Sequence, residues 1–459
     1  MKHAFIHKEI LRLALPSILA NITVPLVGMV DIAVAGHLSG VGGMSAAAYI
    51  GGVTIGTLLF DLLYWNFGFL RISTGGLTAQ AFGRNDKDEC ANLLIQSVAI
   101  ALFFSIVVLA IQWPFQHYAL MAVKPTEDVC SLAVNYFFIR IWAAPATLTL
   151  MALRGWFVGM QDTMSSMLTD LTVNAINIVA SIVLTLGIGK WHGFGFNGIA
   201  IGTVIAQYSG LLLAISIILI KYRRLPFHLN RPERGKLHAL MTMNGDLFIR
   251  SLCFIAIYVG FTTIAARYGN VFLSVSSILM KLLMIFSYFT DGFAYSGEAM
   301  TGRFIGERNK PMLRLTVTRV FGWSMGVALL FIIIYGLTGD IMLGIMTSDE
   351  EVFNASLPFM WWLLLMPPLG CAAFTWDGIY AGATASKAIR NAMIVATLGF
   401  FAFYFAGVWC FGIDSMSDGT TMDSPAMNLL MLAYFVHLLA RTLYLTLRYK
   451  RDVAARIPN

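Results

Sequence analysis

An ionised side chain at mid-bilayer depth costs roughly 3 kcal/mol or more, so each carboxylate embedded in an apolar run asks for a reason. Asp31 is the clearest case: it lies in Gly28-Met29-Val30-Asp31-Ile32-Ala33-Val34-Ala35-Gly36-His37, fifteen residues after Pro16. Asp61, Asp291, Glu298 and Asp377 stand in comparable runs further along. Taking a carboxylate out of water disfavours its charged form, so a residue such as Asp31 is equipped to gain and lose a proton, as an ion-coupled carrier requires. The competing reading is a structural carboxylate held permanently by neighbouring helices.

A polar stripe accompanies these acids. Asp170, Asn174, Asn177 and Ser181 fall at i, i+4, i+7 and i+11, which puts all four on one helical face. That face either lines a wet cavity with Asp31 and Asp61 or bonds to adjacent helices. Arg154 and Asp377 occupy equivalent positions of an internal repeat, and their equal expected depth makes a gate salt bridge between them a candidate. Tyr64, Trp65, Phe67 and Phe69, with Phe286, Tyr288, Phe289 and Phe293 at nearby repeat positions, offer aromatic cavity surface, and 24 Met add adaptable apolar surface. Aromatics combined with carboxylates favour cationic amphipathic ligands.

The elements that carry these residues are membrane spans. With 58% hydrophobic and 12% charged side chains, the chain lies far from the soluble average of about 25% charged. A bilayer core of about 30 Å needs about 20 apolar residues per helix, and such windows are expected at 10–36, 44–72, 91–118, 130–155, 165–188, 196–221, 246–267, 273–299, 314–338, 352–380, 388–412 and 426–447. Both ends are basic, with Lys2, Lys8 and Arg12 at one and Arg448, Lys450 and Arg451 at the other, which places both termini in the cytoplasm. About 23 of the 31 Lys and Arg then fall on cytoplasmic segments, while the outer loops carry acids at 347–351 and at Asp414 to Asp423. The net charge of +7 reflects this orientation and not nucleic-acid binding. Five scattered cysteines without a CxxC pair predict neither a disulfide framework nor a structural metal. The first apolar run is too long for a cleaved signal and reads as an uncleaved span.

The chain repeats itself. Ser73-Thr74-Gly75-Gly76 through Gly83-Arg84-Asn85 returns about 223 residues later as Ser296-Gly297-Glu298-Ala299 through Gly306-Glu307-Arg308-Asn309, and the same shift carries Pro145, Gly155 and Gly159 onto Pro368, Gly378 and Gly382. The fold class expected is therefore an all-α polytopic membrane protein of twelve spans, in two six-helix repeats related by a pseudo-two-fold axis along the membrane normal. Its domains are an N-terminal lobe over 1–222, a basic cytoplasmic linker over 223–244 that holds Arg231 and Pro232, and a C-terminal lobe over 245–459. Pro16 and Pro25 should interrupt the first span, Pro145 the fourth and Pro367-Pro368 the tenth. There is no GxxxxGK[ST] loop and no room for a soluble catalytic domain, so the chain reads as no enzyme and as powered by an ion gradient.

Several of these stretches resemble the multidrug and toxic compound extrusion (MATE) family, and within it the DinF branch. They are Val30 to His37, Gly68-Phe69-Leu70-Arg71-Ile72-Ser73-Thr74-Gly75-Gly76-Leu77-Thr78-Ala79-Gln80-Ala81-Phe82-Gly83, Asp291-Gly292-Phe293-Ala294 and Asp377-Gly378-Ile379-Tyr380-Ala381-Gly382-Ala383-Thr384. The resemblance implies an antiporter that expels organic compounds while protons or sodium ions enter. It implies a cation site at Asp31, a bending helix at Pro16, and partners at Asn177 and Thr203. Where some relatives carry a second carboxylate, this chain has Ser181, which favours protons; Asp61, if it faces inward, keeps sodium open. A C-terminal site or gate would draw on Asp377, Asp291, Glu298 and Arg154. The expectation is a monomeric, proton-coupled exporter in a bacterial cytoplasmic membrane, with small organic substrates, the lipid bilayer as its surroundings, and no cofactor. A sodium-coupled exporter and a flippase of lipid-linked precursors are the alternatives.

Overall fold

Inside a bilayer every backbone N–H and C=O needs an internal partner, and the apolar runs meet that need as helices. The computed structural model describes residues 2–38, 44–227, 234–347, 349–411 and 424–457; Arg231, Pro232, Ser348 and the acidic stretch from Asp414 to Asp423 lie outside them. In chain order the helices are α1 (Lys2–Gly36), α2 (Ala46–Tyr64), α3 (Phe69–Gly83), α4 (Lys87–Ala110), α5 (Gln112–Val123), α6 (Glu127–Arg140), α7 (Ala144–Gly159) and α8 (Thr163–Leu186). They continue as α9 (Asn197–Lys221), α10 (Arg234–Arg267), α11 (Asn270–Gly306), α12 (Lys310–Met346), α13 (Glu350–Ser356), α14 (Trp361–Gly382), α15 (Ser386–Phe411) and α16 (Ser424–Asp452). Among the described residues eleven helical segments are long and apolar enough to cross a membrane, and twelve if Glu350–Phe359 and Trp361–Gly382, bent by 54°, form one span. No strand occurs among the described residues.

The described chain forms two compact units. One holds Met1–Ile18 with Ala239–Asn459, the other Leu19–His238. Helix α1 thus contributes its first part to one unit and the rest to the other. Its early residues are tied down by Trp323, whose Nε1 donates to His7 Nδ1 at 2.9 Å, and by Arg319, 3.0 Å from His3 Nδ1.

The duplication is visible in the backbone. Asn85 and Arg308 share a φ of 56°, and Gln161 and Thr384 have φ of 61° and 54°. Each follows a helix end and reverses the chain in a left-handed turn, with paired returns to the carbonyls of the last helical residues, such as Asn85 N to Phe82 O and Asp86 N to Ala81 O. The next helix starts on a polar cap: Asp86 accepts from Glu89 N, Asn309 from Met312 N and Asp162 from Ser165 N. Glycine sets the helix crossings. A Cβ at Gly155 would collide with the carbonyl oxygen of Arg71, and one at Gly378 with that of Ala294; Gly159 and Gly382 face the carbonyl oxygens of Gly75 and Glu298. Small residues let backbones approach this closely, which is how apolar helices associate where water supplies no driving force.

Several expected breaks fall elsewhere. Pro16 and Pro25 lie within the continuous helix α1, and Pro367-Pro368 within α14. The tenth span instead bends at a 3-10 turn, Leu357–Phe359, upstream of the two prolines. A second turn, Ile141–Ala143, comes before Pro145, which occupies the first turn of α7 where its missing N–H costs nothing. The second span runs on to Gly83 through a 3-10 turn at Trp65–Phe67. The end of the expected linker is helical from Arg234, since Lys236, Leu237, Ala239, Leu240 and Met241 are strong helix formers.

Asp162, between α7 and α8, holds that end of its unit. Its Oδ2 accepts from Lys221 Nζ at 2.7 Å, Tyr222 Oη at 2.7 Å and Ser165 Oγ at 2.5 Å. Burial alone pushes its carboxyl upward, but these donors and the Lys221 charge outweigh burial and hold it below its ordinary value. The resulting stability is present above the ordinary carboxylate range near 4 and is lost as pH falls through the lower folded value. Thermal melting in detergent should show a drop in midpoint on acidification below about pH 4 that is smaller in Asp162→Asn. Replacing Gly378 with Ala should cost about 1–3 kcal/mol in detergent unfolding, whereas Gly322→Ala, where a Cβ meets nothing within 4 Å, should cost little.

Candidate functional site

The unit formed by Leu19–His238 brings the N-terminal candidates together. Asp31, on the second part of α1, is 6% exposed, and its Oδ1 is buried without a hydrogen-bond partner among the described residues. Ser181 on α8 interacts with the Asp31 carboxylate, and Arg140 at the end of α6 lies within its electrostatic reach. Ser181 Oγ also donates to Asn177 Oδ1 at 3.0 Å, and Asn177 Nδ2 reaches Thr203 Oγ1 at 3.3 Å. Thr203 closes the chain on Ile199 O at 3.2 Å. Asp31, Ser181, Asn177 and Thr203 are thus one polar cluster across α1, α8 and α9, and the last three are all buried.

The polar stripe of α8 divides along its length. Asp170 forms an ion pair with Arg154 of α7 at 2.5 Å, while Asn174 donates to Thr23 of α1 at 2.5 Å. Only Asn177 and Ser181 belong to the Asp31 cluster. Asp61 differs from Asp31 in being exposed on α2, in line with Thr54 one heptad earlier, and it too feels Arg140.

Arg140 is the residue that sequence reasoning missed. Its Nη1 donates to Tyr136 Oη at 2.8 Å, one turn back on α6, and its guanidinium lies 4.7 Å from the centroid of Phe60 and 5.5 Å from that of Tyr136. Tyr136, Tyr64, Asp31 and Asp61 all act on it electrostatically. The signal was present: a lone Arg in the middle of an apolar span is as anomalous as a lone Asp.

The other unit holds a separate ionic network. Asp377 Oδ2 accepts from Arg250 Nη2 at 2.6 Å and Arg441 Nη2 at 3.0 Å. Asp246, one turn before Arg250, accepts from Arg390 at 2.6 Å and Ser386 at 2.7 Å. Asp291 lies within electrostatic reach of Arg441, and Glu298 is fully buried where α11 crosses α14. The two residues of the expected gate pair each have partners inside their own unit: Arg154 is engaged by Asp170, and Asp377 by Arg250 and Arg441. The aromatic wall is corrected in part. Phe67 and Phe69 pack on Phe104, Phe286 on Phe331 and Phe293 on Trp323, all four buried. Among the described residues no three His, Cys, Asp or Glu side chains group as metal ligands.

Apolar helices crossing on glycine, an internal duplication and a buried polar cluster at mid-helix define a polytopic membrane transporter. The MatE family model matches residues 16–183 and 247–405, and the chain belongs to that family. It is 34% identical over 397 residues to DNA damage-inducible protein F of Escherichia coli (strain K12), covering 86% of this chain and 84% of that protein. It is 21% identical over 469 residues to a "Probable multidrug resistance protein NorM" of Photorhabdus laumondii, covering 98% and 97%. A crystal structure of MATE in the bent conformation shares the fold with a TM-score of 0.83 at 16% identity, over 98% of this chain and 96% of that one. The chain is thus a multi-pass membrane efflux protein and not an enzyme.

Arg441 has a side chain only 3% exposed, so removing the charge it faces strands a buried cation. Asp377→Asn should destabilise the protein by about 3–5 kcal/mol, read as a lowered thermal midpoint in detergent, with Asp377→Glu recovering much of the loss.

Proposed function

We propose that the chain is a proton-coupled antiporter that exports organic compounds, cationic or amphipathic, with Asp31 as the group that exchanges the proton. One observation carries this reading: Asp31 is buried in the span with one oxygen unpartnered, beside Ser181 and the Asn177–Thr203 pair. A proton on that oxygen would remove the charge and supply a donor, so the hydrogen bonds of α1 in the two protonation states must differ. Helix α1 also carries Pro16, two residues before it passes from one compact unit to the other. Proline leaves one helical carbonyl without its partner, which supports a role for Pro16 as the point where α1 changes shape. Protonation from outside then weakens retention of a cationic substrate, and the substrate leaves outward.

The relatives support the export of drugs: one bears a multidrug resistance name, and the E. coli protein supports a bacterial cytoplasmic membrane. Basic residues near both ends support cytoplasmic termini. The protein works as a monomer in this reading. Asn at position 31 keeps the shape and removes the titration, so Asp31→Asn should lose at least about tenfold in pH-gradient-driven ethidium efflux from proteoliposomes while still inserting and folding. Persistent gradient-driven efflux in that variant rejects the assignment, and efflux driven by a sodium gradient alone replaces the proton with sodium.

A further inference from the structure

Coupling through Asp31 leaves a second carboxylate unexplained. Asp61 stands on α2 within reach of the same arginine that acts on Asp31. Two carboxylates in one site would ordinarily hold two cations, or one would have to stay protonated. Arg140 changes the count. A guanidinium keeps its proton at every working pH, so its charge is constant through the cycle. It is also fixed in place: Tyr136 accepts its hydrogen bond at 2.8 Å, and Phe60, 4.7 Å away, is itself stacked on Phe137 at 5.1 Å. Rings on the guanidinium hold a cation without neutralising it, so its charge remains available to the carboxylates.

We propose that Arg140 is a tethered counter-cation, which permanently fills the role of a second bound ion for Asp61 and Asp31 and so selects a proton over sodium as the exchanged ion. The inference rests on the reading of Asp31 as the coupling carboxylate. With Asp31, Asp61 and Arg140 charged, one net negative charge remains, and one proton cancels it. That proton needs a single acceptor oxygen, which the buried Oδ1 of Asp31 offers. A sodium ion needs several oxygens at once, and coordinating it here would draw on Ser181, Asn177 and Thr203, whose hydrogen bonds to one another would have to rearrange. The fixed positive charge repels a further metal cation placed beside it.

The test uses the full-length protein in detergent, with radioactive sodium as the probe, and the same variants in proteoliposomes. Arg140→Gln should bind Na+ about tenfold or more tightly than the unaltered protein, and its ethidium efflux should either become stimulated by an inward sodium gradient or double its proton-to-dye ratio. Arg140→Gln combined with Asp61→Asn restores the net charge and should lose both effects. Arg140→Lys keeps the charge and should behave as the unaltered protein; sodium binding by it equal to that of Arg140→Gln overturns the proposal. So does a folded Arg140→Gln that binds no sodium and keeps its coupling ratio. If Arg140→Gln alone fails to fold, the double variant decides: it must recover both folding and sodium-independent efflux, and failure in either overturns the proposal. Asp31→Asn separates the two levels. Where it abolishes efflux and the Arg140 results fail, only the tethered cation falls; where efflux persists, the coupling reading falls and takes this inference with it.

Discussion

A charge in an apolar medium must find its opposite nearby, and this constraint orders the structure more than any other. In one unit Arg154 is matched by Asp170 and Lys221 by Asp162. In the other, Asp246 is matched by Arg390, and Asp377 by Arg250 and Arg441. These pairs join different elements: α7 to α8, the cap of α8 to α9, α10 to α15, and α14 to both α10 and α16. They act as fixed connections whose partners are already engaged. Asp31 stands apart from them: among the described residues it takes part in no such ion pair, although it is buried. The contrast between engaged carboxylates and this one is what makes it suited to change state.

Glycine provides the second constraint. At Gly155, Gly159, Gly378 and Gly382 the neighbouring backbone comes so close that no side chain fits, and the four positions are two pairs related by the duplication. The contacted carbonyls, from Arg71 and Ala294 and from Gly75 and Glu298, are related by the same shift. Conservation of such a crossing through a duplication follows from its geometry, because a single methyl group would force both helices apart. Each unit can then vary its polar residues while keeping its frame, and the two have done so: two acids within reach of Arg140 in one, a doubly paired acid in the other.

Much of this was legible in the sequence. The repeat, the spans and the grouping of Asn177, Ser181 and Thr203 with Asp31 could be read from spacing or from family resemblance, since hydropathy and helical periodicity are local properties. The breaks could not. Proline marks a missing hydrogen bond, but whether a helix bends there depends on tertiary packing, which lets α1 run through Pro16 and Pro25 while α13 and α14 part at Leu357–Phe359. Ion-pair partners were equally out of reach, because Arg250 and Asp377 are 127 residues apart in sequence. Arg140 was within reach, since a charge alone in an apolar run marks an arginine as it marks an acid.

The membership of α1 in both units has a consequence for how the protein is made. Residues 1–18 leave the ribosome long before the rest of the unit they complete, which is otherwise built from 239–459. The unit of Leu19–His238 is contiguous in sequence and can assemble while synthesis continues. The early turns of α1 must therefore wait until α12 has been translated and can supply Trp323 and Arg319 to His7 and His3. Biogenesis thus closes a ring in time, with a later-made part of the polypeptide finishing its assembly around an earlier one.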